Sequence, residues 1–186
     1  GFKEAIGEQG FDIVFFANTK WGHTFSYTER SKNRNVDGVL MMGIPNSDPY
    51  LQELLESEIP TMFIDLNLVG KKAGYVVSEN AKGAELAIDH LYQLGHRRIA
   101  TVIGTEVTYP TQERLQGYIN GLNNHNLDFD SELIAKGNFT KEGGHQAFKN
   151  LMQLDEPPTA IFYQGDMMAI GGLEAAREMG IDIPGD

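Results

Sequence analysis

Short apolar runs of strand length alternate with helical stretches along nearly the whole chain, and this alternation constrains the fold more than any other feature. Ile13-Val14-Phe15-Phe16-Ala17, Val36 to Met42 and Pro60 to Ile64 are such runs in the first third. Continuous apolar runs suit parallel strands covered on both faces. Before the first run, Phe2, Ala5 and Ile6 share one helical face and Gly10 closes the turn. Phe25 to Asn35 is polar enough for a surface helix. Asp48 and Pro49 read as N-cap and first residue of a helix over Tyr50 to Glu58.

The rhythm resumes later. Asn80 reads as the cap of a helix with Ala84, Ala87, Ile88, Leu91 and Leu94 on one face, ended by Gly95. Strands follow at Arg98 to Ile103, Leu133 to Lys136 and Pro158 to Tyr163. Helices are expected at Thr111 to Asn124, from a Thr140 cap to Leu154, and from an Asp166 cap to Met179 with Gly180 as stop. Strand-helix-strand repetition means an α/β protein with parallel sheets. Asn67 to Tyr75 carries two glycines, two lysines and no core pattern, so it reads as a connector. The expected division is 1–64 for a first lobe, 65–76 for a hinge and 77–186 for a second lobe. The 186 residues amount to one domain of about 150 residues and a fraction.

Composition narrows the chemistry. The absence of cysteine excludes disulfides, thiolate zinc sites and a cysteine nucleophile, and permits a cytoplasmic location. A net charge of −11 makes this surface repel a phosphate backbone. No apolar run approaches the ~18 residues of a membrane span. No P-loop, strand-linked G-x-G-x-x-G or G-x-S-x-G elbow occurs, and no histidine pairs in a metal-ligand spacing. No enzyme chemistry, cofactor or metal is therefore expected. The basic run His96-Arg97-Arg98 reads as a helix C-terminus offsetting the helix dipole.

Ligands of parallel α/β sheets bind beyond the carboxyl ends of the strands. That rule nominates 18–23, 42–46, 65–67, 104–111, 137–140 and 164–166. Asp65 reads equally as an acceptor for ligand hydroxyls or a turn residue. Arg114, with a fork of five donors, suits sugar hydroxyls, carboxylates or phosphates, or is an ordinary helix arginine. Phe139 reads as a hydrophobic staple before the Thr140 cap or as a ring that stacks on a ligand. Trp21, the only tryptophan, is a sugar platform or a lid on the core.

Several strings together resemble the lactose/galactose-repressor family of bacterial transcription regulators. They are Val36-Asp37-Gly38-Val39, Ser78 to Leu91, Leu94-Gly95-His96-Arg97-Arg98-Ile99-Ala100, Arg114-Leu115-Gln116-Gly117-Tyr118, Gly137-Asn138-Phe139-Thr140 and Pro158 to Gly171. The resemblance implies a periplasmic-binding-protein-like effector domain: two doubly wound parallel-sheet lobes hinged around a small molecule, often a sugar. It implies a homodimer using the helices near 1–10 and 167–179, and operator DNA bound through a helix-turn-helix domain upstream of residue 1. Carried over by position, it nominates Asp65, Thr108, Gln112, Arg114, Phe139, Gly165 and Asp166 as ligand contacts. Gly165 stands where the family usually has Asn, and Asp166 remains mainly a helix cap. Met42 and Gly43 form an apolar wall, and Leu66 stands where relatives often carry a polar residue. The alternative reading is an exported sugar-binding protein of an ABC-type transporter, which shares the fold. Against the family's length, the chain reads as an incomplete two-lobe domain lacking strands of both lobes, and so as poorly stable alone.

Overall fold

The computed structural model describes residues 1–16, 26–105 and 108–185. It contains two three-stranded parallel sheets, so the α/β alternation expected from the sequence is what forms.

The first sheet has the order β1-β2-β3, with β1 at Val39–Met42, β2 at Thr61–Ile64 and β3 at Ala73–Val76. The helices that precede β2 in the chain are α1 (Phe2–Glu8), α2 (Tyr27–Asn33) and α3 (Leu51–Glu56). Met41 and Phe63 point to one face, where they bury with Leu51 and Leu54 of α3 and Leu66. Met42 and Met62 point to the other face and are exposed. Their apolar character matches a sheet meant to be covered on both sides. Asp48 is not the cap of α3. Its carboxylate accepts from the Tyr50 amide (2.9 Å) and the Tyr27 hydroxyl (2.7 Å), building the turn that feeds the helix.

Two expectations are corrected here. The run expected as a strand over Ile13–Ala17 forms none over 13–16, Ala17 lying outside the described residues, and Phe15 is 87% exposed. A strand exists only where its backbone groups find a ladder partner, and among the described residues none lies beside this run. Conversely, the connector over 67–75 holds the first three residues of β3, which ends at Val76. The four residues of β3 pair in register with β2, Thr61 opposite Ala73 through Ile64 opposite Val76. The link from β2 to β3 is residues 65–72, with no helix. It closes by lying against the end of α3, where the Lys71 amide donates to the Leu55 carbonyl (2.8 Å). Gly70 touches the Leu55 backbone so closely that a β-carbon there would overlap it. Glu58 pairs with Lys71 and Lys72, which together hold its carboxyl below the usual range.

The second sheet has the order β5-β4-β6, with β4 at Ile99–Ile103, β5 at Ile134–Lys136 and β6 at Ala160–Tyr163. All five residues of β4 are buried because both faces are covered. Helices α4 (Asn80–Gln93) and α5 (Tyr109–Asn124) cover one face through Ile88, Tyr118 and Leu122, against Ile99 and Phe162. Helices α6 (Lys141–Leu151) and α7 (Asp166–Met179) cover the other, with Ala147, Leu151 and Met168 on Ala100 and Val102. Each pair approaches closely at glycine: Gly117 lies on the Ala81 carbonyl and Gly144 on the Met168 backbone.

Ends of elements follow local chemistry. Thr140 caps α6 by accepting from the Gly143 amide (2.9 Å). Gly180 ends α7 with φ 72°. The string after α4 is a clasp. Arg97 donates to the Tyr92 and His96 carbonyls (3.0 and 2.9 Å), as a cation at a helix C-terminus should. Arg98 reaches the Asp130 carboxylate (2.9 Å) and the Glu156 carbonyl (2.7 Å), fastening the start of β4 to the neighbouring loops. Asp130 is held below the usual carboxylate range by the Glu132 amide and by Arg98. Among the described residues no helix is long and apolar enough to cross a membrane.

Candidate functional site

The carboxyl ends of the strands carry the polar groups. An open cleft of about 300 Å³ lies between the segment entering α4, the first turns of α5 and the end of β6. Ser78, Glu79 and Asn80 form one wall, Arg114 another, and Gln164, Gly165 and Asp166 the floor and far side. Two helix N-termini therefore meet here, each carrying the partial positive charge of unpaired N–H groups. A carboxylate sits at each: Glu79 is the N-cap of α4 and Asp166 the first residue of α7.

Arg114 holds the walls together. Its Nε donates to Asn80 Oδ1 (2.9 Å) and its Nη1 to the Gln164 carbonyl (2.6 Å). A planar fork reaches two partners in different directions with one side chain, which a lysine cannot do. The Asn80 side chain is thus used here, and its Nδ2 donates to the Ser78 carbonyl (3.1 Å). This corrects the expectation of Asn80 as a cap, since Glu79 takes the N-cap position. Asp166 is likewise not a cap. Gly165 occupies the N-cap position without a side chain, and Asp166 stands exposed on the cleft.

The Gln164 side chain is 3% exposed, yet neither its nitrogen nor its oxygen has a partner among the described residues. Side chains alternate along β6. Phe162 faces α4 and α5, Tyr163 faces the opposite core, and Gln164 shares the Phe162 side.

The Phe139 ring lies at the sheet edge. As a staple its ring would lie near Gly144, but it lies across Gly104 and Gly165, the residues following β4 and β6. A β-carbon on Gly104 would overlap the ring, and one on Gly165 would stand 3.1 Å from Cδ1. Gly165, without a side chain, leaves that edge of the ring uncrowded. Asn138 and Phe139 both take positive φ, 52° and 57°. Such backbone costs on the order of 1–3 kcal/mol per residue and clusters at ligand sites.

The other nominated residues are distributed. Met42 pairs with Ile64, so Met42, Gly43 and Asp65 lie together on the carboxyl edge of the first sheet. Asp65 has φ 61°, and its amide donates to the Val76 carbonyl (3.1 Å), two residues before Ser78. Its carboxylate has no hydrogen-bond or ion-pair partner among the described residues. Thr108 is the N-cap residue of α5, and its hydroxyl donates to the Thr105 carbonyl (2.9 Å). Gln112 is exposed one turn further on. Neither Thr108 nor Gln112 lines the cleft. Tyr109 begins α5, and its phenol is raised above its ordinary range by burial first, then by Glu113 and Tyr75. Trp21 lies outside the described residues.

Ser78, Glu79 and Gln164 were missed as cleft residues. The rule of strand carboxyl ends finds Ser78 and Glu79 once β3 is known to be a strand. Gln164 fell within a nominated loop, but nothing in the sequence distinguished it.

The site consists of hydrogen-bonding side chains and helix ends, with no histidine or cysteine on the cleft. Among the described residues no cluster could hold a metal ion. The chain matches the profile of the periplasmic binding protein-like domain over residues 88–186. It is 37% identical over 167 residues to the HTH-type transcriptional repressor CytR of Escherichia coli strain K12, covering 82% of this chain and 45% of that protein. A regulatory protein of the LacI family from Chloroflexus aggregans superposes with a TM-score of 0.71 at 31% identity, covering 83% of this chain and 56% of that one. The CelR–cellobiose complex superposes with a TM-score of 0.76 at 32% identity, covering 85% and 50%. The chain spans about half the length of the curated relatives it matches. The matching profile, the repressor relatives and the fold agree: the chain belongs to the periplasmic-binding-protein-like domain family, in the form found in LacI-family transcription regulators.

Proposed function

We propose that this chain is the effector-sensing domain of a bacterial LacI-type transcription regulator, binding a sugar or sugar derivative in the cleft beside Arg114. The observation that carries this reading is the cleft itself. It gathers Ser78, Glu79, Asn80, Arg114 and Asp166, groups that exchange hydrogen bonds with hydroxyls, at the carboxyl edge of a parallel sheet. The lining is a set of hydrogen-bonding groups suited to holding a polar ligand, which supports a binding role. The likeness to a CelR–cellobiose complex supports a saccharide ligand. The repressor relatives favour a cytoplasmic regulator over an exported transporter protein. Operator DNA would be held by a helix-turn-helix domain outside this chain, in a homodimer. The effector would act by favouring one arrangement of the two sheets, through its different affinity for the two states.

The test is calorimetric titration of the full-length protein with cellobiose and a panel of mono- and disaccharides, alongside an operator gel shift. The expected result is saturable binding of one sugar that changes DNA affinity. Turnover of a hydrolase or phosphatase substrate, abolished by Asp65→Asn, would overturn it.

A further inference from the structure

Gln164 lines the cleft, is buried, and has neither its side-chain nitrogen nor its side-chain oxygen partnered among the described residues. Leaving a buried donor and acceptor unmade costs about 1–3 kcal/mol each, so native structures seldom keep such groups without a use. The backbone of Gln164 is fixed, with its amide donating to the Val102 carbonyl (3.0 Å) and its carbonyl accepting from Arg114 (2.6 Å). Only the carboxamide is uncommitted. Gln164 is one of the residues that line the cleft, and Arg114 holds its main chain in place.

The charge of the cleft limits what it would meet. An anionic ligand is drawn to helix N-termini and to free guanidinium groups. Here Glu79 and Asp166 occupy the two N-terminal turns, and Arg114 already spends Nε and Nη1 on the protein. The cleft offers no surplus positive field. A carboxamide presents an acceptor and a donor side by side, and adjacent hydroxyls on one ring complement that pair.

Resting on the effector-binding reading above, we infer that Gln164 selects the ligand, pairing with two adjacent hydroxyls of a neutral molecule rather than with a sugar phosphate or sugar acid. Both a free saccharide and the ribose of a nucleoside carry that group.

The experiment uses the full-length protein and its Gln164→Met variant. Probes are cellobiose, D-glucose, D-ribose and uridine, the deoxy compounds 2-deoxy-D-glucose and 2′-deoxyuridine, and the anions D-glucose 6-phosphate and D-glucuronate. Calorimetry gives affinity, and melting of the unliganded proteins reports folding. The expected result is tightest binding of a neutral probe, weakened about tenfold or more in the variant, whose unliganded melting temperature rises because an orphan polar group is gone. Removing one hydroxyl of the pair should weaken binding to the wild type and make no difference to the variant. Binding to a saccharide but not uridine, or the reverse, identifies the source of the diol. Equal affinity of variant and wild type, or tightest binding of an anion, overturns the inference and leaves the effector-sensing reading standing. A wild-type protein that binds none of the probes overturns both.

Discussion

Arg114 Nη1 donates to the Gln164 carbonyl at 2.6 Å while its Nε donates to Asn80 at 2.9 Å, so one side chain ties α5 to the start of α4 and the end of β6. Arg114→Ala should weaken effector binding by about 1.5–3 kcal/mol, the scale of a charged hydrogen bond. Arg114→Lys should recover little of the loss, because a single ammonium cannot reach both partners. Calorimetry with the sugar that the titration panel selects checks both, and full recovery by lysine would show that only charge matters.

The Phe139 ring uses space that exists because Gly104 has no side chain. Gly104 has no positive φ, so space alone decides what a substitution does. Gly104→Ala should cost about 1–3 kcal/mol of stability by overpacking. Adding Phe139→Ala should return part of it, with a coupling above about 0.5 kcal/mol in a urea double-mutant cycle. Strictly additive effects would remove the contact from the account.

Alkaline stability should depend on Tyr118. Burial pushes this phenol up to about 12, with Asp130 adding to the shift, and its hydroxyl donates to the Ile99 carbonyl at 2.8 Å. A group whose proton is held more tightly in the folded state contributes stability below its unfolded value, about 10 for tyrosine. That contribution fades as pH rises from there through 12. Tyr118→Phe should lower stability by about 1 kcal/mol at neutral pH and flatten the alkaline limb of a pH-dependent melt.

Tyr163 should behave in the opposite way. Its hydroxyl is buried against Gly172 with no partner among the described residues. Burial alone pushes its pKa upward. Tyr163→Phe removes an unpaired polar group and should be neutral or stabilising by up to about 1 kcal/mol in urea titrations. The pair of substitutions, one costly and one not, separates a satisfied buried phenol from an orphan.

The second sheet was almost fully legible in the sequence. Its helices have alternating faces, its strands are continuous apolar runs, and Thr140 and Gly180 mark boundaries by local chemistry alone. The first sheet was read less well. β3 carries Ala73, Gly74 and Tyr75, a pattern that becomes a strand only because β2 offers a ladder. Ile13–Phe16 shows the reverse, a strand-like run without a ladder among the described residues. Pairing is a property of two segments, and one segment's periodicity does not contain it. The same holds for the site. Arg114 and Phe139 were nominated through the family resemblance, but the Asn80–Arg114–Gln164 bridge joins residues 34 and 50 positions apart. Asn80 and Asp166 looked like caps because short polar residues before helices usually are.

The short passage from β3 to α4 has a mechanical consequence. Val76 ends a strand of the first sheet and Asn80 begins a helix of the second, so three residues join them. At about 3.3–3.6 Å per residue such a link reaches only a short way, which keeps the two ends close. Asn80 is also the residue that Arg114 grips beside the cleft. A displacement of Asn80 by a bound molecule would therefore be felt at the end of β3 through only three intervening residues.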